Sequence, residues 1–297
     1  MDKKLLFVFN PHSGKAMIKN RLLDIIQSFV NEGYRVETYP TKGRADATRV
    51  INERGAEFDR IVVSGGDGTL NESISGLLNL DKKPCIGYIP TGTTNDFASN
   101  LKIPKDMKKA ANIAVEGNPF DCDVGKFNDR NFLYVAAFGA FTDVAYETPQ
   151  VNKNVLGQLA YFFEGIKKLY NIKSYKLKLK VNGEEISGDY IFGMASNSNY
   201  VAGMKAGSKL HAALNDGLFE ILLVKNPANI IEFQALISDL MTQNITTERF
   251  TVLKTNKASF EFEDDVAWTL DGEYGGTVKT ADISLEEKAV RFITGIK

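Results

Sequence analysis

The stretch from Arg60 to Glu72 (RIVVSGGDGTLNE) constrains this chain more than any other. Ile61, Val62 and Val63 are β-branched and consecutive, which predicts a short strand buried on both faces, as in a parallel sheet. Gly65, Gly66 and Gly68 then interrupt the chain, and Leu70 to Leu78 resumes with helical character. Strand, glycine turn and helix start together form a phosphate-binding arrangement. Glycine lets the backbone come close to an anion, and the first N–H groups of the helix point at it. Asp67 adds a carboxylate inside this turn. It would repel a phosphate unless a cation lay between them, which points to Mg²⁺.

The rest of the first half repeats the same grammar. Leu5 to Phe9 reads as a buried strand, followed by the turn Asn10-Pro11-His12-Ser13-Gly14 and a helix with apolar residues at Ile18, Leu22, Leu23, Ile26, Phe29 and Val30. Arg35 to Tyr39 is a second strand, Thr41 opens a polar turn, and Ala45 to Arg54 reads as a helix. Cys85 to Ile89 is a further strand that delivers Pro90-Thr91-Gly92-Thr93-Thr94-Asn95-Asp96-Phe97. Strands alternating with helices predict a doubly wound parallel sheet, whose ligands gather at the carboxyl ends of its strands.

From about Phe120 the pattern changes to short alternating strands. Tyr175, Leu177, Leu179 and Val181 alternate with Lys176, Lys178 and Lys180, and Asn182-Gly183 signals a type I′ hairpin. Further strands are expected at Phe219–Val224, Thr251–Leu253, Ala258–Phe262 and Ala267–Leu270, with helices over Leu156–Tyr170 and Ile230–Met241. The fold class expected is therefore α/β plus all-β, with an antiparallel sandwich or barrel-like second domain. A length of 297 residues suits two domains, drawn at 1–122 and 123–284. Whether the last strand, 285–297, rejoins the first domain is left open.

Composition excludes several classes. The net charge of −1 gives no global field towards nucleic acid, so no nucleic-acid partner is expected. Cys85 and Cys122 are the only cysteines and form no CxxC pair, so neither a disulfide framework nor a zinc site is expected. Two thiols and no signal peptide point to a cytoplasmic protein. Between Lys153 and Lys180, seven lysines stand against one acid, Glu164, together with Tyr161, Phe162, Phe163 and Tyr170. That mixture suits an anionic membrane interface, although alternating lysines are also the ordinary solvated face of a strand.

Five turn motifs in order carry a resemblance. NPHSG (10–14), GGDGTLNE (65–72), PTGTTNDF (90–97), LNDGL (214–218) and LDGE (270–273) closely resemble the diacylglycerol kinase catalytic-domain family, in particular its soluble bacterial lipid kinases. The match runs from residue 5 to about 295. It implies a two-domain fold with the active site in the cleft between the domains, and transfer of the γ-phosphoryl group of ATP to the hydroxyl of diacylglycerol or a similar lipid, giving phosphatidic acid. The enzyme would act peripherally at the inner membrane face, and a homodimer is admitted. The resemblance implies that ATP is held by Asn10, Pro11, His12, Ser13, Gly14, Thr41, Gly65, Gly66, Asp67, Gly68, Thr69, Leu70, Asn71, Glu72, Thr93 and Asn95. Catalytic Mg²⁺ would be bound near Asp67, Asp96 and Asp123, and a second, structural Mg²⁺ by Asp216 with the carbonyls of Ala213 and Leu218.

For the base that takes the hydroxyl proton, the candidates are Asp271 and Glu273. The segment Asp271 to Gly276 reads as a flexible turn, and because residues two apart on an extended backbone point the same way, both carboxylates could face the cleft and raise one pKa. Glu273 is ranked ahead. The alternatives are an NAD kinase, which shares the Gly-Gly-Asp-Gly-Thr turn, and a nucleotide-binding regulator on the same scaffold.

Overall fold

The structure, a computed structural model, describes residues 3–14, 16–92, 95–139, 172–197, 200–201, 204–205, 214–242 and 244–296. Contacts divide the chain into Met1–Cys122 with Lys288–Lys297, and Asp123–Glu287.

In the first unit, β1 (Lys3–Phe9) pairs in parallel with β2 (Tyr34–Pro40) on one side and β3 (Arg60–Gly65) on the other. β4 (Cys85–Pro90) continues the sheet beside β3, and Phe292 and Ile293 of the last strand add to its far edge, again in parallel. Leu5 to Val8 and Ile61 to Val63 are wholly buried, as a strand sandwiched between helix layers requires. The helices are α1 (Leu22–Asn31), α2 (Asp46–Arg54), α3 (Asp67–Leu78), α4 (Asp96–Asn100) and α5 (Met107–Glu116). α1 buries Ile25 and Phe29 and leaves Leu23 outside, the amphipathic pattern of a covering helix. α5 starts where the Asp106 carboxylate accepts the Lys109 N–H at 2.8 Å. Its face of Ala110, Ala111 and Ala114 lies so close to β4 that a methyl group on Gly87 would sit 2.5 Å from Ala114 Cβ.

The second unit contains β5 (Asn118–Phe127, beginning in the first unit), β6 (Arg130–Phe132), β7 (Val135–Gly139), β8 (Tyr175–Val181) and β9 (Glu184–Ser196). After β10 (Tyr200–Val201) and β11 (Met204–Lys205) come β12 (Phe219–Lys225), helix α6 (Ile230–Met241) and β13 (Phe250–Thr255). β14 (Lys257–Leu270) and β15 (Glu273–Thr294) complete the chain. Two long strands change partners along their length. β9 pairs β8 through 184–190 and β7 through 192–196, while β14 pairs β8 through 258–262 and β7 through 268–270. The ring β7–β9–β8–β14 closes into a barrel, removing exposed sheet edges. Its interior is filled by Phe138, Leu177, Leu179, Phe260, Phe262 and Trp268. α6 covers the outer face of β9 and β12, setting Phe233, Leu236 and Leu240 against Phe192, Met194, Leu222 and Val224.

Some elements differ from the sequence reading. Ala258–Phe262 and Ala267–Leu270 belong to one strand, β14. The exposed run Glu263-Asp264-Asp265 breaks the apolar alternation, but the backbone carries on through a register shift. Likewise Val290–Ile293 is the tail of the 22-residue β15, not a separate strand. The Asn182-Gly183 hairpin is as expected, with φ of 52° and 81° between paired Val181 and Glu184. The expected helix Leu156–Tyr170, and with it Lys153, Lys167, Lys168 and the aromatics of the basic segment, lies outside the described residues. Of the strand lysines, Lys176 pairs with Glu263 at 3.2 Å and Lys180 with Glu261 at 2.6 Å, which suits a solvated face. Among the described residues no helix is long and apolar enough to cross a membrane.

Trp268 is fully buried at the centre of the barrel, its ring tilted or edge-on at about 5 Å to Phe127, Phe138 and Phe260. Its indole N–H has no acceptor among the described residues. A buried unmet donor costs about 1–3 kcal/mol. Trp268→Phe is therefore expected to lower stability by less than about 1.5 kcal/mol. Trp268→Ala, which empties the site, should cost about 3–5 kcal/mol in urea unfolding.

Candidate active site

In the first unit three turns meet at the carboxyl ends of the strands. After β1, the Asn10 N–H donates to the Ser64 carbonyl at 2.9 Å, and the Asn10 carboxamide oxygen accepts the His12 N–H at 2.9 Å. This Asx turn brings Ser13 and Gly14 round, and Gly14 takes φ of 56° against the Thr91 carbonyl, where a side chain would collide. After β3, Gly66 lies extended ahead of α3. The first intrahelical bond is Leu70 N–H to the Gly66 carbonyl at 3.1 Å, so the Gly68 and Thr69 amides open towards the turn. After β4, the Thr91 N–H donates to the Gly65 carbonyl at 2.9 Å, and a methyl group on Gly92 would lie 2.5 Å from Gly66 Cα. Backbone thus meets backbone, leaving main-chain amides and carbonyls to line the cradle. The positive end of the twelve-residue α3 points into it.

Other predicted residues support this cradle from behind. The Asn95 side chain, 5 % exposed, clamps Gly92 through both its amide atoms, accepting from Gly92 N–H at 2.9 Å and donating to Gly92 C=O at 2.7 Å. Thr41 is buried, and its N–H donates to the Phe9 carbonyl at 2.9 Å. The Glu72 carboxylate accepts the Ala45 N–H at 2.8 Å, which fixes the start of α2. Asn10 Nδ2 reaches Thr69 Oγ1 at 3.5 Å, linking the first turn to α3. Asp67 is the first residue of α3, where a negative charge is favoured. Burial, and then the Asp67 charge, push the buried Tyr88 phenol above its ordinary pKa. The neutral phenol donates to the Gly65 carbonyl at 3.1 Å. Thr93 and Ala213 lie outside the described residues, as does the side chain of Asp96.

In the second unit Asp123 is 1 % exposed and organises the turn of Asp216. Its N–H donates to the Leu214 carbonyl at 2.7 Å, and its Oδ2 accepts the Gly217 N–H at 2.8 Å. The exposed Asp216 accepts the Leu218 N–H at 3.1 Å. Asp123 and Asp216 thus share one hydrogen-bonded turn that offers oxygen donors.

The expectation that Asp271 and Glu273 face the same way is overturned. Asp271 and Gly272 have φ of 51° and 83°, and Leu270 pairs with Glu273 across them, which is a type I′ turn and not an extended segment. The Asp271 carboxylate turns inward, 8 % exposed, and accepts the backbone N–H groups of Leu133, Tyr134 and Val135 at 2.7, 3.0 and 3.1 Å. Glu273 points outward and is exposed. Asp271 therefore serves to hold the turn, and Glu273 is the carboxylate that a reactant can reach. Sequence reading missed Asn197, whose side-chain amide donates to the Asp123 carbonyl at 3.0 Å. No motif marks it, because its neighbours come from distant strands.

Removing the Asp271 carboxylate would strand three buried backbone donors. Asp271→Ala should cost about 3 kcal/mol of stability, whereas Glu273→Ala should stay within about 0.5 kcal/mol, read by urea unfolding of both.

The geometry can be set against known proteins. The profile described as "Diacylglycerol kinase catalytic domain" matches residues 4–127. A diacylglycerol kinase of Bacillus subtilis (strain 168) is 34 % identical over 286 residues, covering 95 % of this chain and 94 % of its own. One from Staphylococcus aureus (strain JH9) is 33 % identical over 294 residues, covering 96 % and 91 %. Among solved structures, a candidate diacylglycerol kinase from Bacillus anthracis str. Sterne superposes with a TM-score of 0.80 at 26 % identity, covering 99 % of this chain and 95 % of that one. These relatives do not favour an NAD kinase. With near full-length similarity at this identity, the chain belongs to the diacylglycerol kinase family and is a kinase.

Proposed function

We propose that this kinase transfers the γ-phosphoryl group of ATP to the hydroxyl of diacylglycerol, giving phosphatidic acid and ADP. The observation that carries this reading is the backbone cradle of Gly14, Gly66 and Gly92, where a side chain on Gly14 or Gly92 would force the turns apart. Its amides and the start of α3 suit a polyphosphate. Asn10 to Gly14, Thr41, Gly65 to Glu72, Thr93 and Asn95 bind the nucleotide directly or hold the turns that do.

Asp67 stands where phosphate charge gathers, and its hard oxygen donor fits Mg²⁺. Asp96 and Asp123 are assigned to the same catalytic ion. The turn of Ala213, Asp216 and Leu218 is assigned to a structural Mg²⁺, for which a carboxylate, carbonyls and water are a suitable set. When bound, the catalytic ion neutralises charge on the transferring phosphoryl group. Glu273 takes the proton of the lipid hydroxyl. The hydroxyl oxygen then bonds to the γ-phosphorus as the bond to the β–γ bridging oxygen breaks, and ADP leaves with that oxygen. The amides of Gly68 and Thr69 face the phosphates and orient them. The acceptor resides in a bilayer, so the enzyme works in the cytoplasm at the inner membrane face.

The test is transfer of labelled γ-phosphate from ATP to a lipid panel in mixed micelles with Mg²⁺, beside NAD and a no-acceptor control. Labelled phosphatidic acid is expected. NADP formation, or no product from any lipid by folded protein, would sink the reading. Glu273→Ala is expected to lower kcat by about 10²–10⁴-fold, the usual worth of a general base, with an unchanged melting temperature.

A further inference from the structure

We infer that Asn197 is a positioning residue for phosphoryl transfer, tying the turn of Asp216 to the turn of Glu273. The inference rests on the lipid-kinase reading above. It starts from where Asn197 stands, one residue beyond the end of β9 and wholly buried. Its backbone and its side chain donate to different neighbours. The Asn197 N–H donates to the Tyr134 carbonyl at 2.9 Å, and Nδ2 donates to the Asp123 carbonyl at 3.0 Å.

Each of those neighbours leads to one functional turn. Asp123 holds the 214–217 turn from both ends, through Leu214 C=O and Gly217 N–H. Tyr134 holds Asp271 through its N–H at 3.0 Å and through its phenol, which donates to the Asp271 carbonyl at 3.1 Å. Ser196 adds a second donor to the Tyr134 carbonyl at 3.2 Å. A continuous line therefore runs Gly217, Asp123, Asn197, Tyr134, Asp271, ending two residues from Glu273. Asparagine suits the junction because its short side chain carries an N–H donor close to its own backbone N–H.

Stability alone does not account for this residue. Its carboxamide oxygen is buried with no hydrogen-bond partner among the described residues, a cost that an apolar side chain of the same size would not carry. Leucine matches the volume without the polar atoms, so Asn197→Leu is expected to melt within a few degrees of wild type. With the tie gone, kcat should fall about 10- to 100-fold, the range set by one lost buried hydrogen bond. The KM for ATP should change less than twofold, because the nucleotide turns belong to the first unit.

The experiment measures kcat and KM on diacylglycerol micelles together with amide hydrogen exchange. Faster exchange at both Gly217 and Tyr134 in Asn197→Leu is expected, because these amides close the two ends of the line. Wild-type kcat in the folded variant, or faster exchange at one turn alone or at neither, would overturn the inference. Asn197→Ala removes the donor without burying a charge in its place. It is read the same way if the leucine variant does not fold, and full activity there would also defeat the role of the N–H. If the wild-type protein transfers no phosphate to diacylglycerol, the functional reading fails by itself, while the exchange data still decide the tie.

Discussion

The contact of backbone with backbone at Gly14, Gly66 and Gly92 is the constraint on which the first unit depends. It is possible only because parallel neighbouring strands deliver their turns to one edge, and because Gly14 and Gly92 carry no Cβ. The hydrogen bonds around the cradle serve the same end. Thr91 N–H to Gly65 C=O locks two turns together, and Asn95 folds back on Gly92. The neutral Tyr88 phenol supports Gly65 from below. Side chains thus hold the main chain still. A rigid set of amides suits phosphates, whose charge is spread over several oxygens and is met best by donors already in place.

In the second unit the same logic appears with carboxylates. A buried carboxylate is tolerable only when its oxygens are met. Asp271 collects three consecutive backbone N–H groups, and Asp123 takes Gly217 N–H while its own main chain is bonded at both N–H and C=O. These acids act as fasteners. Glu220 departs from this pattern, with Oε2 lacking a hydrogen-bond partner among the described residues. It is fully buried on β12, where desolvation pushes its carboxyl upward in pKa while the Lys254 ammonium, 3.0 Å away, opposes the shift. Asp216 and Glu273, by contrast, are exposed.

Much of the fold was legible in the sequence where local pattern and tertiary environment agree. Ile61-Val62-Val63 read as a buried strand because a doubly covered strand needs apolar side chains on both faces. Asn182-Gly183 read as a hairpin because both positions need positive φ. Legibility failed where one residue pattern served two geometries. Glu263-Asp264-Asp265 looked like a break, yet β14 passes through it, since a bulged strand can turn an acidic run to solvent without ending. Asp271-Gly272-Glu273 read as a flexible turn with both acids facing one way, whereas the tight type I′ turn it forms parts them.

The sequence by itself determined the order of strands, glycine turns and helices in the first unit, because period and turn chemistry act over a few residues. It also determined the family resemblance, carried by five motifs in order. Only the tertiary structure separated Asp271 from Glu273 and brought Asn197 beside Asp123 and Tyr134. Those assignments depend on partners 63 to 138 residues away, brought together by strand register. A carboxylate is a fastener or a reactant according to which backbone amides reach it, and no local pattern encodes that.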